Sequence, residues 1–176
     1  MAERMLAADH SAAMGEAYND ETVVLHRLLK VSNRLMAPFS THLEKQYNIS
    51  VNEFRLLMLI GRMGEAASHE LAEMTGVNVM SVSRAVATLE KHGRITVTRD
   101  PNNRRRKTLR LTEEGKRLHK IMRPHTEQVA HYLLSDLSQK EVTAMRNMLD
   151  KLIDTLEATD EAGNSLFLER TKPEGN

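Results

Sequence analysis

A tight turn between two short amphipathic segments is the feature that most constrains the fold of this chain. Ser68–Thr75 and Val79–His92 both carry helical patterns, and Gly76 lies between them, where glycine accepts the positive φ of a sharp turn. Asn78 precedes the second segment and can cap it with its side-chain oxygen, and Gly93 ends it. The pattern predicts a helix-turn-helix, a motif whose second helix typically lies in the major groove of DNA.

The second predicted helix divides into an apolar side and a polar side. Val82 and Val86 are expected to face inward together with Leu71 of the first helix. Ser81, Ser83 and Arg84 are left pointing outward. The residues that we expect to contact DNA from this helix and its N-terminus are Asn78, Val79, Met80, Ser81, Ser83 and Arg84.

Two short segments after this helix alternate at period two and predict a β-hairpin. They are Ile95–Arg99 and Thr108–Thr112, and the turn chemistry of Asp100–Asn103 separates them. Residues 84–110 hold nine Lys or Arg against two acidic residues, whereas the formal net charge of the whole chain is +1. Such a concentration of cations is typical of a phosphate-binding face. The hairpin cations expected at DNA are Arg99, Arg104, Arg105, Arg106 and Lys107.

Different roles are expected for these cations. Arg84 would either donate two hydrogen bonds to a guanine edge or clamp a phosphate. Arg104 or Arg105 is expected to enter the minor groove, which attracts arginine where it is narrow. Arg99 and Lys107 are expected to contact phosphates, which position a protein on DNA without specifying sequence.

Four motifs in combination resemble the MarR family of bacterial transcription regulators. They are Gly76–Arg84, Leu89–Gly93, Asp100–Arg105 and Leu111–Gly115, and the likeness extends over roughly residues 20–158. The resemblance implies a winged helix-turn-helix and a contact of Arg84 with DNA. The chain departs from the family pattern at Asn103, where an aspartate is usual, which leaves Asp100 as the nearby carboxylate for an ion pair in the wing.

A small-molecule pocket is implied by the resemblance and not by a motif of its own. In the family, the effector is often an aromatic carboxylate lodged between the dimerisation helices and the winged helix. An anion there needs a cationic or hydrogen-bonding partner. The candidate ligand-binding residues on the two helices concerned are His26, Ser32, Arg34 and Arg55.

The segment before the helix-turn-helix predicts two helices. Apolar residues recur at helical spacing across Glu21–Tyr47, where Pro38 is expected to introduce a kink. Ser50 and Glu53 form a capping box that opens a second helix, and Gly64 ends it.

Two further helices are predicted after the hairpin. Thr112 caps the first, and Pro124 predicts a bend near Ile121. Ser138 and Glu141 form a second capping box. The helix that follows carries a seam of the coiled-coil type at 3-4-3-4 spacing, formed by Val142, Met145, Leu149, Leu152 and Leu156.

These elements predict a mainly α (α+β) fold with a winged helix-turn-helix and a dimerisation domain built from N- and C-terminal helices. We expect a flexible arm over 1–19, a dimerisation domain formed by 20–48 and 113–160, a DNA-binding domain over 49–112 and a flexible tail over 161–176. The terminal helices carry more apolar residues along one face than the core of a small winged helix needs, so a two-fold symmetric homodimer is predicted.

Composition excludes several classes of function. The absence of cysteine rules out a disulfide scaffold, a thiol redox sensor and a Cys-ligated zinc site. The eight histidines are scattered, and Glu73 stands where a metalloprotease string beginning at His69 would need a second histidine, so no metal site and no cofactor are predicted. No apolar run approaches the roughly 20 residues of a membrane span, and we expect a cytoplasmic protein without a membrane partner.

The function expected from the sequence is sequence-specific regulation of transcription, without enzymatic activity. A homodimer would bind double-stranded DNA at a palindromic operator, act as a repressor and be released by a small aromatic-acid effector. Two alternatives remain open at this stage. One is a metal-responsive regulator of the same fold, and the other is a DNA-binding regulator without a ligand.

Overall fold

The computed structural model describes residues 19–99 and 107–173 of the 176-residue chain. It divides into two compact units, one ending at His119 and the other beginning at Lys120. The elements are α1 (Asp20–Tyr47), α2 (Val51–Met63), β1 (Ala66–Ala67), α3 (Ser68–Thr75), α4 (Val79–Lys91), β2 (Ile95–Arg99), β3 (Lys107–Leu111), α5 (Glu113–Leu133), α6 (Gln139–Glu157) and α7 (Leu166–Arg170). The predicted mainly α fold with a small β-sheet is confirmed.

The first two helices follow the local signals of the sequence. Glu53 Oε2 accepts a hydrogen bond from Ser50 N at 2.9 Å, and Glu53 N donates to Ser50 Oγ at 3.3 Å, so the predicted capping box opens α2. Helix α1 runs through Pro38 without ending there. Phe39 of α1 and Phe54 of α2 pack edge to face with ring centroids 5.0 Å apart, which holds the C-terminal half of α1 against α2.

The turn between α3 and α4 has the predicted geometry. Gly76 adopts φ of 63°, in the left-handed region that favours glycine. Ser81 N then donates to Asn78 Oδ1 at 2.9 Å, so Asn78 caps α4. The helix-turn-helix is therefore formed by the residues that the sequence indicated.

The core of the first unit lies where α2, α3, α4 and the sheet meet. Its members are aliphatic or small side chains that lose nearly all of their solvent exposure. They include Leu56, Leu57, Ile60, Ala66, Leu71, Val82, Ala85, Val86, Leu89, Ile95 and Leu109. Val77, which also follows the apolar pattern, is only half-buried.

The hairpin is part of a three-stranded antiparallel sheet in the order β1-β3-β2. Leu109 lies at its centre, because it is opposite Val97 of β2 and Ala66 of β1. Strand β1 was not predicted, since two alanines are too short to show a period. The predicted second strand of the hairpin is shifted by one residue, to Lys107–Leu111.

A buried arginine ties the junction of α4 and β2 to the junction of α1 and α2. Arg94 is 8% exposed, and its guanidinium donates to Tyr47 O at 2.9 Å and to Asn48 O at 3.0 Å. Its Nη1 also lies 3.5 Å from Oε1 of the buried Glu53. Arg94 is one of the nine cations counted over residues 84–110, but the structure buries it inside the fold.

The start of α5 packs against the backbone of Arg94. Gly115 N donates to Thr112 Oγ1 at 3.1 Å, which confirms Thr112 as the predicted cap. A Cβ on Gly115 would lie 2.0 Å from Arg94 O, so only glycine allows this approach. Helix α5 then continues through Pro124 to Leu133, so the proline does not end it.

The second unit contains the remainder of α5 together with α6 and α7. The predicted capping box opens α6, where Ser138 N donates to Glu141 Oε2 at 2.8 Å. None of the α6 residues is buried. Helix α7 lies inside the segment predicted as a tail, and Ser165 caps it. The division into domains stays a prediction.

Candidate nucleic-acid interface

The solvent-facing side of α4 brings four of the candidate DNA-binding residues together. Val79 and Met80 are each 66% exposed, and Ser83 and Arg84 follow them one turn later, also exposed. Asn78 is exposed at the helix N-terminus, where its Oδ1 is occupied by the cap. Ser81 differs from expectation, because it is half-buried and does not point fully outward.

The first turn of α4 is also electrostatically distinct. Among the helices of the described ranges, α4 alone has no acidic residue there, whereas the other six carry Asp or Glu in that turn. A carboxylate would offset the positive end of the helix dipole and would repel a phosphate. The N-terminus of α4 thus keeps its positive potential on the side where Val79 and Met80 are exposed.

The wing places two candidate cations side by side. The register of β2 and β3 pairs Arg99 with Lys107, and these are the last described residues on either side of the hairpin tip. Like charges directly opposite each other destabilise a sheet. A phosphate bound between them would remove this repulsion. The other wing candidates, Arg104, Arg105 and Arg106, lie outside the described residues, as do Asp100 and Asn103.

One further cation of the hairpin is engaged within the chain. Arg110 Nε donates to Glu65 Oε2 at 2.8 Å, and its Nη2 contacts the same oxygen, so the side chain is drawn towards the segment before β1. Together with the buried Arg94, this removes two of the nine cations counted between residues 84 and 110. Sequence alone could not separate cations bound internally from cations facing solvent, because both ion pairs join residues distant in the chain.

The candidate ligand-binding residues lie on the first two helices. His26, Ser32 and Arg34 are exposed on α1, and Arg55 is half-buried on α2. Arg55 Nη2 lies 3.6 Å from Met36 Sδ, so this guanidinium reaches across to α1. Their assignment to an effector site stays a prediction.

Within residues 19–99 and 107–173, no group of three or more His, Asp or Glu side chains is placed to hold a metal ion. No helix in these same ranges is long and apolar enough to cross a membrane.

Comparison with known proteins extends this picture. Residues 49–107 match the sequence model of the MarR family. An uncharacterized HTH-type transcriptional regulator of Bacillus subtilis, YwaE, is 24% identical over 145 residues, which cover 82% of this chain and 85% of YwaE.

Two solved structures share the fold. FabT of Streptococcus pneumoniae, crystallised with DNA, is 21% identical with a TM-score of 0.63, and the match covers 78% of this chain and 98% of FabT. BpsR of Bordetella bronchiseptica, studied for regulation of its DNA binding by 6-hydroxynicotinic acid, is 23% identical with a TM-score of 0.65. That match covers 73% of this chain and 97% of BpsR.

The exposed α4 face beside a cationic hairpin defines a winged helix-turn-helix protein of the DNA-binding class. The family model matches residues 49–107, and the solved structures share the fold. This part of the chain is a MarR-type DNA-binding domain, and the chain is similar over most of its length to HTH-type transcriptional regulators such as YwaE.

Proposed function

We propose that this protein is a homodimeric repressor that binds a palindromic operator and is released by a small aromatic carboxylate. The observation that carries the proposal is the exposed face of α4, with Val79, Met80, Ser83 and Arg84, next to the paired wing cations Arg99 and Lys107. In this arrangement α4 enters the major groove while the wing contacts the phosphates of the neighbouring backbone.

The homodimer is supported by apolar side chains that are exposed in the described part of the single chain. On α1, Val24, Leu25, Leu29 and Val31 are each more than half exposed. On α6, the predicted seam is exposed from Met145 at 39% to Leu156 at 52%. A second copy related by two-fold symmetry would cover these stripes and would place two α4 helices about 34–36 Å apart, the distance of one turn of DNA.

An aromatic acid is proposed as the effector for two reasons, the polar groups on α1 and α2 and the aromatic acid in the study of BpsR. His26, Ser32, Arg34 and Arg55 supply cationic or hydrogen-bonding groups on α1 and α2 for a carboxylate. The BpsR study concerns 6-hydroxynicotinic acid, which is itself an aromatic carboxylate. Repression is favoured over activation because a protein occupying a promoter blocks polymerase without further machinery.

The coupling between the two ligands must be reciprocal. If the effector weakens DNA binding by a given factor, DNA weakens effector binding by the same factor. The proposal therefore needs an effector that binds more tightly to free protein than to the protein–DNA complex.

Fluorescence anisotropy of a labelled duplex from upstream of the protein's own gene tests the proposal. Salt-sensitive binding that one aromatic acid reverses is the expected result. Arg84→Ala should weaken specific binding by about 1–3 kcal/mol. Lys107→Ala should lower the slope of log K against log salt by about one, whereas Lys140→Ala, at an exposed lysine of α6, should leave the slope unchanged.

Three results would contradict parts of the proposal. Equal affinity for the upstream duplex and a random duplex would contradict sequence-specific binding at that site. Tight binding that no aromatic acid alters would contradict the proposed class of effector. An unchanged salt slope in Lys107→Ala would remove this residue from the interface.

A further inference from the structure

The solvent side of α4 carries two rungs of different chemistry. Val79 and Met80 form the first rung, and Ser83 and Arg84 form the second rung one helical turn later. The opposite side of the helix is fully used by the core, through Val82, Ala85, Val86 and Leu89. The first rung thus presents an apolar surface that the described residues leave exposed.

Single exposed apolar residues are normal on a protein surface, but the placement of this pair is specific. Both side chains are 66% exposed and adjacent, in the part of a recognition helix that contacts base edges. The valine side chain has no hydrogen-bonding atom, and the methionine sulfur is only a weak acceptor. Neither residue can therefore read the donor and acceptor pattern of a base pair.

The major groove offers one apolar group to such a surface, the C5-methyl of thymine. We propose that Val79 and Met80 read thymine methyl groups in each half-site and set sequence preference beside the base pair that Arg84 contacts. The inference rests on the proposed function and adds the identity of the bases read. One helical turn of about 5.4 Å spans between one and two base-pair rises of about 3.4 Å. The thymines are therefore expected within about two base pairs of the Arg84 contact.

Replacing thymine by uracil removes only the methyl group and leaves base pairing intact. Duplexes would first be selected from a randomised library with the full-length wild-type chain. Each selected duplex would then be amplified with either thymidine or deoxyuridine triphosphate and titrated by anisotropy. Wild type is expected to bind the uracil form more weakly, by about fourfold for each methyl group contacted.

Variants separate direct contact from indirect effects of the methyl group. Val79→Ser combined with Met80→Gln should bind thymine and uracil forms equally while keeping its dependence on salt. Arg84→Ala should keep the preference for thymine at lower overall affinity. Met63→Gln is the matched control at a methionine that is 41% exposed on α2, and it should behave as wild type. Met80→Gln alone serves if the double variant does not fold, and it should lose part of the preference.

The outcomes distinguish failure of this inference from failure of the proposed function. Equal binding of both forms by wild type would overturn the methyl readout while leaving DNA binding intact. An equal loss on uracil DNA in wild type and in the double variant would also overturn it, because the methyl would then act through DNA shape. If selection enriched no sequence above the random library, sequence-specific binding itself would fail, and the methyl readout with it.

Discussion

Helices α4 and α6 carry the same kind of apolar spacing, yet among the described residues only the apolar face of α4 is buried. In α4, Val82, Val86 and Leu89 are exposed by 1%, 6% and 0%. In α6, Leu149 and Leu152 are exposed by 42% and 45%. Apolar residues at helical spacing predict a helix and its apolar face, but they do not predict what covers that face.

The difference reflects how each unit is closed. In the first unit α4 packs against α2, α3 and the sheet, which bury its apolar face within one chain. The α6 stripe keeps a surface that another molecule would cover, and we propose a second copy of the chain for that role. The following variants test this contrast.

The largest effect is expected from opening the buried ion pair that closes the first unit. Arg94→Met would leave the Glu53 carboxylate buried without its cation and would remove the donors to Tyr47 O and Asn48 O. Loss of one partner of a buried pair costs about 3–5 kcal/mol, so the free energy of unfolding measured in urea should fall by about that amount.

Two controls separate burial from charge in this experiment. Glu53→Gln added to Arg94→Met should recover part of the loss, because glutamine removes the buried charge and still supports a capping box. Arg110→Met breaks an ion pair with Glu65 that is more than half exposed, and it should cost at most about 1 kcal/mol. Equal losses for Arg94→Met and Arg110→Met would show that burial of the first pair has no energetic weight.

A pair of leucine substitutions compares the two apolar faces directly. Leu57→Ala removes a side chain with 0% exposure and should cost about 2–5 kcal/mol at any protein concentration. Leu149→Ala alters a side chain that is 42% exposed in the single chain. Its cost should appear as weaker dimerisation, so its melting temperature should rise less steeply with protein concentration than that of wild type.

Thermal melts over a hundredfold range of concentration check this contrast. A melting temperature of wild type and Leu149→Ala that does not change with concentration would mean that no second copy covers the α6 stripe. A concentration-dependent loss for Leu57→Ala would mean that the first unit is not complete in one chain.

The smallest effect is expected at the N-terminus of α6, where the helix begins with a solvent-exposed capping box. Hydrogen bonds from the Ser138 side chain and backbone hold the pKa of Glu141 below its ordinary value. Its contribution to stability is therefore present above about pH 4.3, the ordinary glutamate pKa, and is lost as pH falls through the lower folded-state pKa.

Amide hydrogen exchange in the first turn of α6 measures this loss. Protection in wild type should decrease in that acidic range, whereas Glu141→Gln should show no such step because glutamine does not titrate. An identical step in both proteins would assign the acid sensitivity to other groups.

Local signals explain most of what the sequence could predict. The helix caps are formed by hydrogen bonds between residues three apart, so short stretches of sequence are enough to predict them. The turn at Gly76 is likewise local, because it depends on the φ of one residue. Helices α1 to α6 therefore begin close to their predicted residues, whereas α7 was not predicted. The residues of α4 that face solvent also follow from the helical period, apart from the half-buried Ser81.

Interactions between distant residues were not predictable in the same way. Strand β1 exists because Ala66 and Ala67 pair with β3 more than 40 residues later, and two alanines carry no period of their own. No local feature of the sequence indicates that Arg94 is buried, because its partners Tyr47, Asn48 and Glu53 lie on another part of the chain.

The stoichiometry of the protein–DNA complex tests the central claim most directly. Sedimentation equilibrium of the full chain with a selected palindromic duplex should give two chains per duplex. Leu149→Asp, which places a charge in the α6 stripe, should give a free monomer and should greatly weaken the complex. A complex of one chain per duplex, or an unchanged two-to-one complex with Leu149→Asp, would contradict an α6-mediated dimer as the DNA-binding form.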